Sequence, residues 1–173
     1  DNASTDGSAE AVERALPEAT VIRMPRNRGF AAGVNRGVAE GAAEEVLLLN
    51  PDARLGPGAL DRLRATLRAD AELAAVGPRL RTPDGSLELS TNRTMTPLGD
   101  LRVRIADRLY GNGRGPLAPL VESLYRRPRQ VRSLSGACML LRRVALREVG
   151  GLDERFFLDA EDVDLCRRLR EAG

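Results

Sequence analysis

The alternation of helical stripes with short apolar runs constrains this fold more than any other feature of the sequence. Val46 to Leu49 (VLLL) is a continuous apolar run, the pattern of a strand buried on both faces. Before it, Phe30, Val34 and Val38 recur at i, i+4 and i+8, which is one helical face. Ala31, Ala32 and Gly33 keep that helix thin, and Gly41 ends it. After the apolar run, Leu60, Leu63 and Leu67 form a second stripe that starts near Pro57 and ends before Leu73. Ala74 to Leu80 then reads as a strand, and Pro83-Asp84-Gly85 as the turn of a small hairpin. Upstream, a helix over Ala9 to Leu16, capped by Asp6 or Ser8 and stopped by Pro17, precedes a short strand over Thr20 to Met24. This order predicts an α/β domain with a largely parallel sheet flanked by helices.

Thr91 to Arg129 breaks the pattern. Prolines, glycines and arginines are dense there, with amphipathic helices expected over Leu98 to Leu109 and Leu117 to Tyr125. Three readings stay open: a solvated basic loop, a mobile lid, or a surface that meets an anionic acceptor or membrane headgroups. Beyond it, Val131 to Leu134 and Ala137 to Leu141 are strand-like around a Ser135-Gly136 bend. Val144 to Val149 and Glu161 to Arg170 read as helices separated by a Gly150-Gly151 break. The chain therefore divides into residues 1–90, a basic insert over 91–130, and 131–173.

Composition removes several function classes. The 173 residues suit one domain or part of one, and 27 arginines against 25 acidic residues exclude a nucleic-acid binder that relies on bulk positive charge. No apolar run approaches the ~18 residues of a membrane span, so this chain would meet a membrane only peripherally. The absence of histidine excludes a Ser-His-Asp triad, a Cys-His pair and a histidine-bearing metal site within the chain. Cys138 and Cys166 have neither metal-ligand nor disulfide-framework spacing and are expected as reduced core residues, which suits a cytoplasmic setting. The turn-rich opening string DNASTDGS, normally found after a secondary element, suggests an internal piece of a longer protein lacking a strand before Asp1.

Two acidic sites and one turn carry the chemistry. Asp52 lies just past the apolar run, where ligands bind in open α/β sheets. Pro51 holds Asn50 extended. A lone carboxylate beside an amide oxygen suits a hard cation, Mg²⁺ or Mn²⁺, that takes its other ligands from water and phosphate; a plain turn is the alternative. Asp159, Glu161, Asp162 and Asp164 crowd a helix start, as a set that favours the helix dipole or as one that contains a general base. Phe156-Phe157 would wall that site against water. Asp1-Asn2 with Ser4-Thr5-Asp6-Gly7 reads either as a turn or as a reader of a pyrimidine imide edge.

Together these strings resemble the family 2 glycosyltransferases with a GT-A fold. DNASTDGS matches the family's D-N-x-S-x-D-G-S string. Asn27, Gly29, Asn35 and Gly37 match its N-x-G-x-x-x-x-x-N-x-G string, and LLLNPDA around Asp52 its acidic metal motif. SGACMLLRR, then Gly150 to Phe157 and Glu161 to Leu165, complete the order. The N-P-D and E-D-V-D-L forms are most similar to the rhamnosyltransferase-type branch, which builds bacterial surface polysaccharides. The resemblance implies a GT-A (Rossmann-like) fold, incomplete at both ends. It also implies roles: Asp1, Asn2, Ser4, Asn27, Gly29, Asn35 and Asn50 as donor-binding residues, with Asp1 on the nucleobase and Asn50 near the ribose or phosphate. Asp52 would hold the metal, Asp162 would deprotonate the acceptor hydroxyl, Glu161 would orient that base or the acceptor, and Asp153 and Glu154 would shape the acceptor pocket. Many relatives carry a fuller acidic motif where this chain has Asn50 and Pro51. The family's first strand and its C-terminal histidine also fall outside this chain, so it is not expected to carry the full activity alone.

The implied reaction is inverting transfer of a sugar, rhamnose in the branch it resembles, from a nucleoside-diphosphate sugar donor. The acceptor is a polysaccharide or lipid-linked glycan hydroxyl at the inner face of the cell membrane. The competing readings are a non-catalytic nucleotide-sugar-binding module or decayed paralogue, a nucleotidyltransferase, whose Gly-rich phosphate loop is not visible here, and a carboxylate-pair glycosidase, in which Asn50-Pro51-Asp52 has no role.

Overall fold

The computed structural model describes residues 1–89, 91 and 97–173. In chain order the elements are α1 (Ser8–Ala15), α2 (Phe30–Glu40), β1 (Glu45–Leu49), α3 (Ala59–Ala69), β2 (Ala75–Val76), α4 (Pro97–Tyr110), a 3₁₀ turn (Gly111–Gly113), α5 (Ala118–Leu124), β3 (Cys138–Arg142), α6 (Arg143–Glu148) and α7 (Glu161–Ala172). Every helix expected from periodicity is present, with ends moved by a residue or two.

The sheet corrects the expected strand direction. Its order is β1-β3-β2, and β3 pairs antiparallel with both neighbours, Leu49 opposite Cys138 and Val76 opposite Leu140. β1 and β2 are therefore parallel to each other, as the β1-α3-β2 unit requires, but a later strand lies between them. Helix–strand alternation fixes the local unit and leaves open which strand inserts at its centre. Ala74 to Leu80 shortens to the two residues of β2, and Val131 to Leu134 forms no strand. Thr20 to Met24 is not a named strand either. Asp1 N–H nevertheless donates to Ile22 O at 2.8 Å, and Met24 N–H to Asp1 O at 2.9 Å. That bond pair is the parallel-ladder pattern around Arg23. The expected hairpin is present, with Arg81 opposite Leu87 across the turn at Gly85.

The core sits on both faces of β3, where Cys138 to Leu141 are all buried. Met139 and Leu141 join Ala31, Leu48, Leu146 and Leu165 on one side; Cys138 and Leu140 join Leu63, Leu67 and Val76 on the other. Each fully buried leucine contributes roughly 1.5–3 kcal/mol. The paired arginines at the junction of β3 and α6 fasten two helix ends. Arg142 donates to Leu73 O at 2.9 Å and Asp70 O at 3.1 Å beyond α3, and Arg143 to Val38 O at 2.6 Å at the end of α2. Both cysteines are free and buried, and burial pushes their thiols up. The helices of the basic insert form a small cluster of their own, Tyr110 and Ala118 against Leu87.

Candidate active site

Antiparallel pairing puts the end of β1 beside the start of β3, and the two acidic strings meet at that edge of the sheet. Asn50 N–H donates to Ala137 O at 3.0 Å, and Ala53 N–H closes a turn onto Asn50 O at 3.0 Å. The turn lifts Asp52 into solvent, with no side-chain partner among the described residues. Asn50 Oδ1 is buried and accepts no hydrogen bond among the described residues. Such an orphan acceptor costs ~1–3 kcal/mol unless a ligand meets it, and a hydroxyl or a cation is the chemistry that would.

Next along the same edge, Gly136 N–H donates to Asp162 Oδ2 at 2.9 Å and Val163 N–H to Asp162 Oδ1 at 2.7 Å. The Phe30 ring lies beside Asp162 at Gly136, in ordinary contact distance of where a side chain would start. Asp162 is the second residue of α7, and the chain enters that helix through Asp159 and Ala160, both left-handed (φ 67° and 70°). Two such non-glycine residues in succession cost about 1–2 kcal/mol each. Glu161 beside them is buried. Asp164 is not part of an open acidic cluster: Arg167 and Arg168 bind its carboxylate at 3.0 and 2.7 Å. One edge thus carries a free carboxylate, an orphan amide oxygen and a second carboxylate pinned by a backbone N–H.

The asparagines of the glycine-containing strings hold loops together. Asn2 Nδ2 donates to Asn27 Oδ1 and to Gly29 O, both at 2.9 Å, and Asn2 Oδ1 accepts Arg28 N–H at 3.0 Å. Asn35 clamps Leu152 from both sides, donating to its carbonyl at 2.8 Å and accepting its N–H at 2.9 Å. Gly29 has φ 89° and ψ 171°, a region essentially reserved for glycine, and any side chain there would strike the Phe157 backbone. Its neighbour Phe30 N–H donates to Phe157 O at 2.9 Å. Phe156 is half-buried and Phe157 exposed.

The family model for glycosyl transferase family 2 matches residues 1–150. The chain belongs to that family. It is 35% identical over 184 residues to the N-acetylglucosaminyl-diphospho-decaprenol L-rhamnosyltransferase of Mycobacterium tuberculosis, covering 100% of this chain and 60% of that protein. It is 26% identical to the low-salt glycan biosynthesis hexosyltransferase Agl10 of Haloferax volcanii, over 83% of this chain and 44% of the relative. The mannosyltransferase PcManGT from Pyrobaculum calidifontis, solved in complex with GDP-Man and Mn²⁺, superposes with a TM-score of 0.63 at 20% identity, covering 100% of this chain and 42% of that one. The chain thus spans 60% of the length of the mycobacterial relative and has a partial GT-A α/β fold.

As a family 2 chain, its expected site residues fall into three groups. Asn50, Asp52, Glu161 and Asp162 stand at the shared sheet edge or at the helix start that meets it. Asn2, Asn27 and Gly29 form one hydrogen-bonded staple, and Asn35 a separate clamp on Leu152. Asp1 and Ser4 close on each other, Ser4 N–H donating to the Asp1 carboxylate at 3.2 and 3.3 Å. Asp153 and Glu154 are tied off: Arg155 holds the Asp153 carboxyl down to about 2, and Glu154 pairs with Arg28 at 2.7 Å and with Asn35 Nδ2 at 3.1 Å. The residue that sequence reasoning missed is Gly136, whose N–H fixes Asp162. Its only signal was the Ser-Gly bend before a strand.

Proposed function

We propose that this chain is the catalytic core of an inverting glycosyltransferase. It would move a sugar, rhamnose by likeness to the mycobacterial relative, from a nucleoside-diphosphate donor to a hydroxyl of a lipid-linked or polysaccharide acceptor at the inner face of the cell membrane. The observation that supports this best is the pair of carboxylates at one sheet edge, Asp52 open to solvent and Asp162 bonded to Gly136.

Asp162 would accept the proton of the acceptor hydroxyl as that oxygen attacks the anomeric carbon and the nucleoside diphosphate departs from the opposite face. The Gly136 and Val163 N–H groups each hold one carboxylate oxygen and fix the direction in which the remaining basic lone pairs point. Glu161 orients the base or the acceptor. The Asn2–Asn27–Gly29 staple and the Asn35 clamp would hold the donor-side floor at a fixed distance from that base. Asp52 with Asn50 Oδ1 offers two hard oxygen donors. Among the described residues no group of three or more acidic or cysteine side chains forms a complete metal cage. This sparse set fits Mg²⁺ or Mn²⁺ that keeps waters and phosphate oxygens as its other ligands. When bound, such an ion supplies Lewis-acid stabilisation of the leaving diphosphate.

Calorimetry on the full-length protein with UDP-, GDP- and dTDP-sugars, with and without Mn²⁺, tests the reading. The expected result is metal-dependent binding of one donor that Asp52→Ala removes. Asp162→Asn should keep that binding and lower transfer by about 10²–10⁴-fold. A folded protein that binds no donor, or an Asp162→Asn variant with unchanged turnover, overturns the assignment.

A further inference from the structure

Helices α4 and α5 carry apolar side chains on two opposite faces. The inward face of the pair is Tyr110, Ala118 and Val121, packed on Leu87. At ~100° per residue, Leu101 lies opposite Tyr110, and Ile105 and Leu109 continue its row. All three are exposed, at 53%, 49% and 38%. On α5 and its N-cap, Leu117, Leu120 and Leu124 share the face away from Ala118 and are 40%, 57% and 52% exposed. Leu117 N–H donates to Leu109 O at 3.3 Å, so the two outward rows meet at the turn between the helices. A helix pair that only had to cover the domain would present polar side chains outward.

Charge says what this face suits. Residues 97–129 hold seven arginines and three acidic residues, while the whole chain has only two more basic than acidic residues. The insert therefore carries all of the positive excess, and the rest of the chain is net negative. Arg104 and Arg108 on α4, and Arg126, Arg127 and Arg129 just after α5, are exposed, and none of them has an ion-pair partner among the described residues. Exposed leucines on a helix pair rich in arginine match a surface that is apolar below and anionic at its rim. A second copy of the same face would set like charge against like.

We propose that α4 and α5 dock in-plane on an anionic lipid surface, with the outward leucines in the acyl boundary and the arginines on lipid phosphates. This deepens the lipid-linked acceptor reading. The groove lined by Tyr125, Arg126, Arg127 and Arg129 also reaches Leu134, two residues from Gly136.

Flotation of the full-length protein with phosphatidylcholine vesicles, with and without phosphatidylglycerol, tests the docking. Binding is expected to need phosphatidylglycerol and to fall with salt. Changing Arg126, Arg127 and Arg129 together to Gln should weaken it about a hundredfold, at roughly fivefold per arginine. The quadruple variant Leu101→Ser, Ile105→Ser, Leu120→Ser, Leu124→Ser should no longer float, while its far-ultraviolet dichroism and donor affinity stay as in the parent. Independently of those variants, Leu120→Trp should shift its emission to the blue on adding vesicles, and Val144→Trp, on another exposed site, should not. Equal binding to neutral vesicles, no binding by the parent, or a parent dimer that the leucine variant makes monomeric overturns the proposal. Donor binding is read without vesicles, so a protein that floats but binds no sugar nucleotide retains the docking face and loses the transferase reading.

Discussion

Met139, Leu140 and Leu141 in β3 are at most 2% exposed, whereas Leu101, Leu120 and Leu124 on α4 and α5 are more than half exposed. The same residue type is spent in opposite ways in two parts of one chain. β3 is packed on both faces, so each side chain there is held by neighbours from two layers. The helix pair uses one face for its own small cluster and leaves the other uncovered. An apolar pattern alone therefore says that a side chain leaves water, and only the surrounding layers say whether the protein itself provides the destination.

The contrast can be broken first at its strong end. Leu141→Ala should cost about 2–5 kcal/mol, because a fully buried leucine leaves a cavity that two layers hold open; urea unfolding of the purified protein measures it, and a loss below 1 kcal/mol would mean that the layers collapse around the gap. Gly29→Ala tests a different kind of tightness. Its backbone angles exclude a side chain, and the Phe157 Cα would lie 2.8 Å from the new Cβ. A loss of about 3 kcal/mol is expected from strain and displacement of that loop, visible in the same unfolding curves. Leu120→Ala, at the weak end, should change stability by no more than about 0.5 kcal/mol. A larger loss would place that leucine in a packed core and end the contrast.

The smallest effect concerns pH. Arg155 depresses the Asp153 carboxyl, so its contribution to stability is present above the ordinary carboxylate range and disappears as pH falls through about 2. Carbon-detected nuclear magnetic resonance should find Asp153 ionised down to that value. Arg155→Gln should return its midpoint towards the ordinary value of about 3.9.

How much of this was legible beforehand follows from where each signal is stored. Val46 to Leu49 and Asn50-Pro51-Asp52 are local patterns, and both the strand and the exposed carboxylate are present. The direction of β3 was not legible, because pairing partners are set by contacts between residues about 90 positions apart. The helices of the insert were legible, but their orientation was not: Leu117, Leu120 and Leu124 repeat with the period of a core-facing stripe. Within the candidate site, the motif strings located Asp52 and Asp162, and the sheet supplied their shared edge. The amide clamps of Asn2 and Asn35 were hidden for the same reason. A sequence names an asparagine and not the carbonyl 117 residues away that it bonds.

The central position of β3 also shapes how this polypeptide must be assembled. β1 leaves the ribosome about 90 residues ahead of its partner. At ~5–20 residues per second, that strand waits roughly 5–20 s with one hydrogen-bonding edge unfilled. The two core clusters share β3, so they close together once it arrives. Refolding of the isolated polypeptide should accordingly be slow for its size, since its main pairings span long stretches of chain.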